Sequence, residues 1–193
     1  MLNCIYTRKL RHNCEKSNLK IQVSVRKNLV LVGMMGAGKT TLGKIVSKMT
    51  DLKFIDTDAN IEKNCLMKIS EIFKKKGEKF FRLEERKEVS KLLKESNSVI
   101  ALGGGAFIDK TIRENILKNA ISIWLDVDLK NLKKTTKWNN KRPLLNKENK
   151  EKVINKLYED RKKIYKLANY KINCNNLSKK NIADKIITLY EKH

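Results

Sequence analysis

The sequence has little of several features that mark particular classes of protein. It has no apolar run near the ~18 residues needed to cross a bilayer, so we expect no membrane-spanning segment. None of its four cysteines forms a CxxC pair, which argues against a metal knuckle or a disulfide framework and favours a reduced, cytoplasmic protein. Its two histidines, His12 and His193, lie near the chain ends, so we expect no catalytic histidine.

Acidic and aromatic residues are also few. The chain has 44 Lys and Arg against 21 Asp and Glu, giving a formal charge of +23, and 6% of its residues are aromatic. Nucleic-acid binders more often cluster arginine and aromatics on one element, whereas here the excess is mostly lysine spread along the chain. We therefore expect no nucleic-acid partner, no membrane partner and a monomer whose basic surface attracts small anionic substrates.

The length of 193 residues suits one domain with its own apolar core. Residues 1–27 differ from the rest because they are basic, with Glu15 as their single acid. They lack the apolar run of a secretory signal. An organelle-targeting peptide, a disordered extension and an artefact of an early start codon remain open. We favour the interpretations without targeting, and predict a domain over 28–193.

The remaining chain alternates between strand and helix patterns. Short runs rich in branched or leucine side chains predict strands at 28–32, 53–56, 98–102, 121–125 and 170–174. Helical spacing predicts helices at 39–49, 70–75, 78–94, 109–117, 151–167 and 178–190. Thr111 and Glu114 have capping-box spacing. This order predicts an α/β protein with three α/β/α layers around a five-stranded parallel sheet. The polar stretch 137–150, which holds the one proline, predicts a mobile loop.

A phosphate-binding loop follows the first predicted strand. The residues from Gly33 to Thr40 match G-x-x-x-x-G-K-[ST] at every fixed position. Backbone N–H groups of such a P-loop surround a phosphate, and the helix that follows adds a favourable dipole. Lys39 would reach the β- and γ-phosphates, and the Thr40 hydroxyl would bind Mg²⁺. The predicted nucleotide-binding residues are Gly33, Met34, Met35, Gly36, Ala37, Gly38, Lys39, Thr40 and Thr41.

Two acids follow the second predicted strand, and three glycines follow the third. Asp56 and Asp58 would lie at the edge of the sheet where ligands bind; one would hold Mg²⁺ and the other would accept a hydrogen bond or proton from an attacking hydroxyl. Asp58 could instead cap a helix. Three consecutive glycines, 103–105, are costly in entropy and indicate a backbone that approaches a ligand closely.

Three arginines stand out in this lysine-rich chain: Arg82, Arg142 and Arg161. A planar guanidinium suits a carboxylate or a phosphate. Taken alone, each could equally be a solvated surface charge.

Together, the P-loop, Asp-Thr-Asp, Phe-Arg, Gly-Gly-Gly, Arg-Pro-Leu-Leu and a late helical arginine resemble the shikimate kinase family from about residue 28 onward. The resemblance implies a P-loop kinase fold with a lid at about 137–150, and transfer of phosphate from ATP, with Mg²⁺, to the 3-hydroxyl of shikimate. By motif position, Lys39, Asp58 and Arg142 would be catalytic, and Thr40 and Asp56 would hold the metal. The shikimate would bind Asp58, Arg82, Gly103, Gly104, Gly105 and Arg161, and Arg142 would also contact the nucleotide.

Two features depart from the family pattern. Lysines at 133, 134 and 137 stand where relatives often carry an arginine early in the lid, and the basic extension is atypical. A related kinase of the same fold, such as one resembling gluconate kinase, is the nearest alternative. A nucleic-acid-associated ATPase, suggested by the net charge, is a more distant one.

Overall fold

The structure is a computed structural model that describes residues 26–137 and 150–193. The predicted basic extension and the predicted lid lie almost entirely outside the described residues. Among the helices in the described ranges, none is long and apolar enough to cross a membrane.

Five strands in the described part of the chain form one parallel sheet, as predicted. They are β1 (Asn28–Val32), β2 (Lys53–Asp56), β3 (Ser98–Ala101), β4 (Ala120–Asp126) and β5 (Tyr170–Asn173). Their order across the sheet is β2-β3-β1-β4-β5, and every neighbouring pair is parallel. Because β3 separates β1 from β2, the carboxyl ends of these three strands are neighbours.

Helices fill the intervals between the strands. They are α1 (Lys39–Met49), α2 (Thr57–Cys65), α3 (Ile69–Lys75), α4 (Gly77–Leu92), a 3-10 turn (Ala106–Ile108), α5 (Lys110–Asn119), α6 (Leu129–Lys137), α7 (Lys150–Tyr165) and α8 (Lys179–Tyr190). The sequence did not predict α2 or α6. Both are polar helices; Ile61 is the buried large apolar side chain of α2, and Leu132 is fully buried in α6. In α2 this leaves little helical periodicity to detect. Helix α6 does separate an apolar face from a polar one, and that pattern was overlooked.

The start of α2 and the start of α5 correct two predictions about caps. Asp56 is the N-cap of α2 and accepts hydrogen bonds from the backbone N–H groups of Asp58 and Ala59. Asp58 therefore lies in the first turn of the helix and is not its cap. At α5 the cap is Asp109, which accepts from Ile112, so the predicted capping box of Thr111 and Glu114 is wrong. The preceding 3-10 turn places residue 109 at the helix start.

The core lies on both faces of the sheet. Strands β1, β3 and β4 are buried along their whole length, which explains their nearly continuous apolar sequences. Helix α1 packs with α8, and α5 packs on β4 and beside α4. A second, smaller cluster centred on Ile61, Ile72 and Phe81 joins α2, α3 and α4. This cluster supports one wall of the cavity described next.

Candidate active site

A cavity of about 490 Å³ lies at the carboxyl ends of β1, β2 and β3. It is enclosed by the loop after β1, the start of α2, the second apolar cluster, and the glycines after β3. In an open parallel sheet, backbone and side-chain groups converge on this edge, where ligands commonly bind. The volume suits a small metabolite together with part of a nucleotide.

The loop between β1 and α1 has the backbone conformation of a phosphate cradle. Gly33, Gly36 and Gly38 have φ angles of 141°, 82° and 88°, which side chains rarely allow. Any Cβ at residue 33 would also lie 2.8 Å from the carbonyl oxygen of Leu125. The Lys39 Nζ donates to the carbonyl oxygens of Gly33 at 2.8 Å and Met34 at 3.0 Å. Glycine at 33 therefore lets the loop pack against β4.

The predicted nucleotide-binding residues divide into two groups. Met35, Gly36, Gly38, Lys39, Thr40 and Thr41 line the cavity. Gly33, Met34 and Ala37 do not line it, and Met34 and Ala37 are part of the core, 4% and 5% exposed. Gly33, Met34 and Ala37 are buried on the side of the loop that faces the core.

Thr40 and Asp56 are paired at the P-loop end of the cavity. The Thr40 hydroxyl donates to Asp56 Oδ2 at 2.7 Å, while Asp56 Oδ1 caps α2. These hard oxygen atoms suit Mg²⁺, which usually takes one or two protein ligands and completes its shell with phosphate oxygens and water. Within residues 26–137 and 150–193 there is no group of three or more His, Cys, Asp or Glu that could hold a metal ion.

Asp58 lies deeper in the cavity, against Gly103 and Glu85. A Cβ at residue 103 would be 2.6 Å from Asp58 Oδ1 and 2.8 Å from Glu85 Oε1. Thr57 holds this junction together: its hydroxyl accepts the N–H of Gly103 at 2.9 Å and donates to the carbonyl of Ala101 at 3.4 Å. Gly104 and Gly105 line the cavity, whereas Gly103 is buried behind them.

Arg82 is held by two glutamates. Its Nη1 donates to Glu85 Oε2 at 2.7 Å, and its Nε and Nη2 donate to Glu78 Oε1 at 3.2 and 3.1 Å. The Glu85 side chain is 1% exposed, and burial raises its pKa, although the charge of Arg82 opposes that rise. Burial alone would lower the pKa of Arg82, but Glu85 and Glu78 raise it above its ordinary value. Arg82 therefore stays charged, with its guanidinium oriented at the cavity.

Arg161 reaches the same cavity from α7. It is 8% exposed, and its Nη1 donates to the carbonyl of Gly104 at 3.1 Å. This hydrogen bond fixes the guanidinium beside the glycines after β3. The cavity thus brings together Lys39, Asp58, Arg82, Arg161 and the glycines after β3, which lie far apart in the sequence. Arg142 lies outside the described residues.

The structure adds lining residues that the sequence analysis did not assign. Glu85 has a signal in the sequence, since it follows Arg82 by three positions, the spacing of a helical ion pair. The others have no comparable signal, because their role depends on which helix face meets the cavity: Glu62, Ile69, Phe73, Phe81, Ala101 and Leu102.

Comparisons with known proteins agree with this geometry. The sequence model of the family described as "Shikimate kinase" matches residues 35–191. The shikimate kinase of Bartonella quintana (strain Toulouse) is 44% identical over 162 residues, which cover 84% of this chain and 77% of that protein. Among solved structures, the shikimate kinase from Acinetobacter baumannii in complex with shikimate superposes with a TM-score of 0.83 at 33% identity, covering 86% of this chain and 94% of that one. A gluconokinase from Sinorhizobium meliloti 1021 has a TM-score of 0.54 at 12% identity over 87% of this chain and 93% of its own, a likeness of fold alone.

Proposed function

This chain belongs to the shikimate kinase family, and on that premise we propose that it transfers the γ-phosphoryl group of ATP to the 3-hydroxyl of shikimate. The products are ADP and shikimate 3-phosphate, in a step of chorismate and aromatic amino-acid synthesis. The observation that carries the proposal is the cavity in which two arginines and an aspartate face the P-loop lysine and threonine.

The nucleotide end of the cavity would bind the ATP phosphates. Backbone N–H groups of the P-loop would surround the β-phosphate, and Lys39 would turn from the carbonyls of Gly33 and Met34 to the β- and γ-phosphates. Thr40 and Asp56 would hold Mg²⁺, which supplies charge neutralisation on the phosphates when bound.

The opposite end would bind shikimate. Arg82 and Arg161 would grip its carboxylate, because two guanidinium groups present planar donors to a planar anion. Gly104 and Gly105 would bring backbone groups beside the ring, while Gly103 makes room for Asp58. Glu85 would keep Arg82 in position.

Asp58 would accept the proton or the hydrogen bond of the 3-hydroxyl. Phosphoryl transfer requires little covalent work from the protein, since its main needs are alignment and neutralisation of charge. Asp58 lines the cavity together with the P-loop residues and both arginines, which supports this role. We propose that Arg142 approaches the transferred phosphate from the lid, within a kinase domain that spans residues 28–193.

An acceptor screen tests the assignment. Purified protein with ATP and Mg²⁺ should release ADP with shikimate, and much more slowly with gluconate or with no acceptor. Chelation of Mg²⁺ by EDTA should stop the reaction, and excess Mg²⁺ should restore it. Turnover with gluconate alone would favour the related kinase, and ADP release that rises only with added RNA or DNA would favour the ATPase alternative.

A further inference from the structure

The carbonyl oxygen of Gly104 accepts hydrogen bonds from two side chains of α7. One is the Nη1 of Arg161 at 3.1 Å, and the other is the hydroxyl of Tyr165, one helical turn further along. A carbonyl oxygen has two lone pairs and can accept both. The glycines after β3 are thereby joined to the helix that carries a predicted substrate arginine.

The ring of Tyr165 lies at a junction of the structure. It is 1% exposed and packs against Phe107 and Trp124, with ring centroids 6.5 and 6.1 Å apart. Its hydroxyl is also 3.9 Å from the sulfur of Met34 in the P-loop. Tyr165 therefore contacts the glycine triplet, the P-loop and β4.

The hydroxyl is a dependable donor at neutral pH. Burial raises the pKa of Tyr165 to about 12, so the group stays protonated. A buried tyrosine that served only to fill space would not need its hydroxyl, and phenylalanine would pack as well.

We propose that Tyr165 is a positioning residue for the substrate carboxylate: by donating to Gly104, it fixes the glycine triplet and Arg161 relative to each other. The inference rests on the proposed function. A guanidinium has five N–H donors, and the bond to Gly104 occupies one of them. When the Tyr165 hydroxyl is removed, the Gly104 carbonyl keeps the hydrogen bond from Arg161 and loses the one from Tyr165. The Arg161 guanidinium is then held more firmly at Gly104, and the backbone of residues 103–105 is less constrained. Both changes weaken binding of the substrate carboxylate.

Tyr165→Phe tests the proposal in the full-length enzyme. We expect the KM for shikimate to rise roughly five- to tenfold, the scale of one buried hydrogen bond, while the KM for ATP changes by less than about twofold. Tyr190→Phe is the matched control, since its buried hydroxyl also donates to a backbone carbonyl, that of Lys27, at 2.6 Å. This control should lose a similar amount of thermal stability and leave both KM values unchanged.

A double-substitution cycle with Arg161→Lys tests whether Tyr165 acts through Arg161. Residues that share a partner are not additive, so the two substitutions together should raise the shikimate KM by less than the product of their separate effects. A strictly multiplicative effect would contradict the shared role of Gly104.

Hydrogen exchange of the unaltered enzyme gives a readout that needs no variant. Saturating shikimate should slow exchange of the backbone amides at 103–105 and at 161–165 together. Protection at one segment without the other would overturn the inference, as would a Tyr165→Phe enzyme with unchanged shikimate KM or an equal rise for both substrates. If the unaltered protein does not phosphorylate shikimate at all, the proposed function fails first, and this inference falls with it.

Discussion

Asp58 and Gly103 lie so close together that a Cβ at residue 103 would be 2.6 Å from Asp58 Oδ1. Gly103 has no positive φ angle, so its backbone would accept alanine. A side chain here would have to displace the carboxylates of Asp58 and Glu85. The requirement for glycine at this position therefore comes from the neighbouring carboxylates.

Gly103→Ala should displace Asp58 and reduce activity without unfolding the protein. A shift of about 1 Å in a reacting group can cost about 100-fold in rate, so we expect kcat/KM for shikimate to fall by roughly 10- to 100-fold. Steady-state kinetics measure this loss. Gly77→Asn is the control: a Cβ at residue 77 meets nothing within 4 Å, and asparagine tolerates its φ of 81°. Full activity in Gly103→Ala would show that Asp58 does not need its present position.

Asp58→Asn should leave ATP binding nearly unchanged and lower kcat by about 100-fold or more, because an amide cannot accept the proton of the 3-hydroxyl. ATP affinity and kcat are measured separately, by calorimetry and by steady-state kinetics. Asp51→Asn, in the exposed turn before β2, is the matched control. Equal turnover by Asp58→Asn and the unaltered enzyme would remove Asp58 from the mechanism.

Arg82→Lys should raise the KM for shikimate by roughly tenfold or more and change that for ATP little, because an ammonium cannot bind a carboxylate through two parallel hydrogen bonds. Arg86→Lys provides the control one turn further along α4, where Arg86 binds Asp109 at 2.7 Å. Initial rates over both substrate concentrations measure the two KM values. Equal increases for ATP and shikimate would assign Arg82 to a general structural role.

Glu85 should make stability depend on pH. Its folded-state pKa is raised by burial above its unfolded value, despite the opposing charge of Arg82. Its contribution to the free energy of unfolding is therefore complete below the unfolded pKa and is lost as pH rises through the folded pKa. Compared with Glu85→Gln, the unaltered protein should lose relative stability over the pH range that begins at the unfolded pKa, about 4, and extends upward to the raised folded-state pKa. Urea denaturation across this range measures the difference.

A difference in stability that stays constant with pH would contradict the raised pKa of Glu85. Glu84→Gln supplies the control, because Glu84 pairs with Lys87 on the surface of the same helix, and surface ion pairs contribute little to stability.

The strands and the P-loop could be predicted because their signals are local. Buried parallel strands have continuous apolar runs, and all five predicted runs match the observed strands to within one residue at each end. The start and end of α1 were also predicted correctly, at Lys39 and Met49. The polar helix α2 was missed because its stability depends on packing against other elements, which leaves little trace in its periodicity. Helix α6 has an amphipathic pattern that was overlooked.

The glycine triplet shows how much of a residue's environment a prediction from sequence leaves out. The sequence indicated a backbone that approaches a ligand. The structure shows in addition that Cβ atoms at 103 and 105 would collide with protein groups, namely Asp58, Glu85 and Arg82. The N–H of Gly103 is already bonded to Thr57. No pattern within three glycines reveals which side chains occupy the space beside them.

The sequence by itself determined the α/β class, the phosphate loop, and the acids and arginines that the family resemblance singles out, since each is encoded by neighbouring residues. Only the tertiary structure decided how these groups combine: that Asp56 caps α2 and pairs with Thr40, that Glu85 and Glu78 hold Arg82, and that Tyr165 reaches Gly104. The physical reason is that these contacts depend on the strand order, which places β3 between β1 and β2. They also depend on which faces of the helices pack against the sheet.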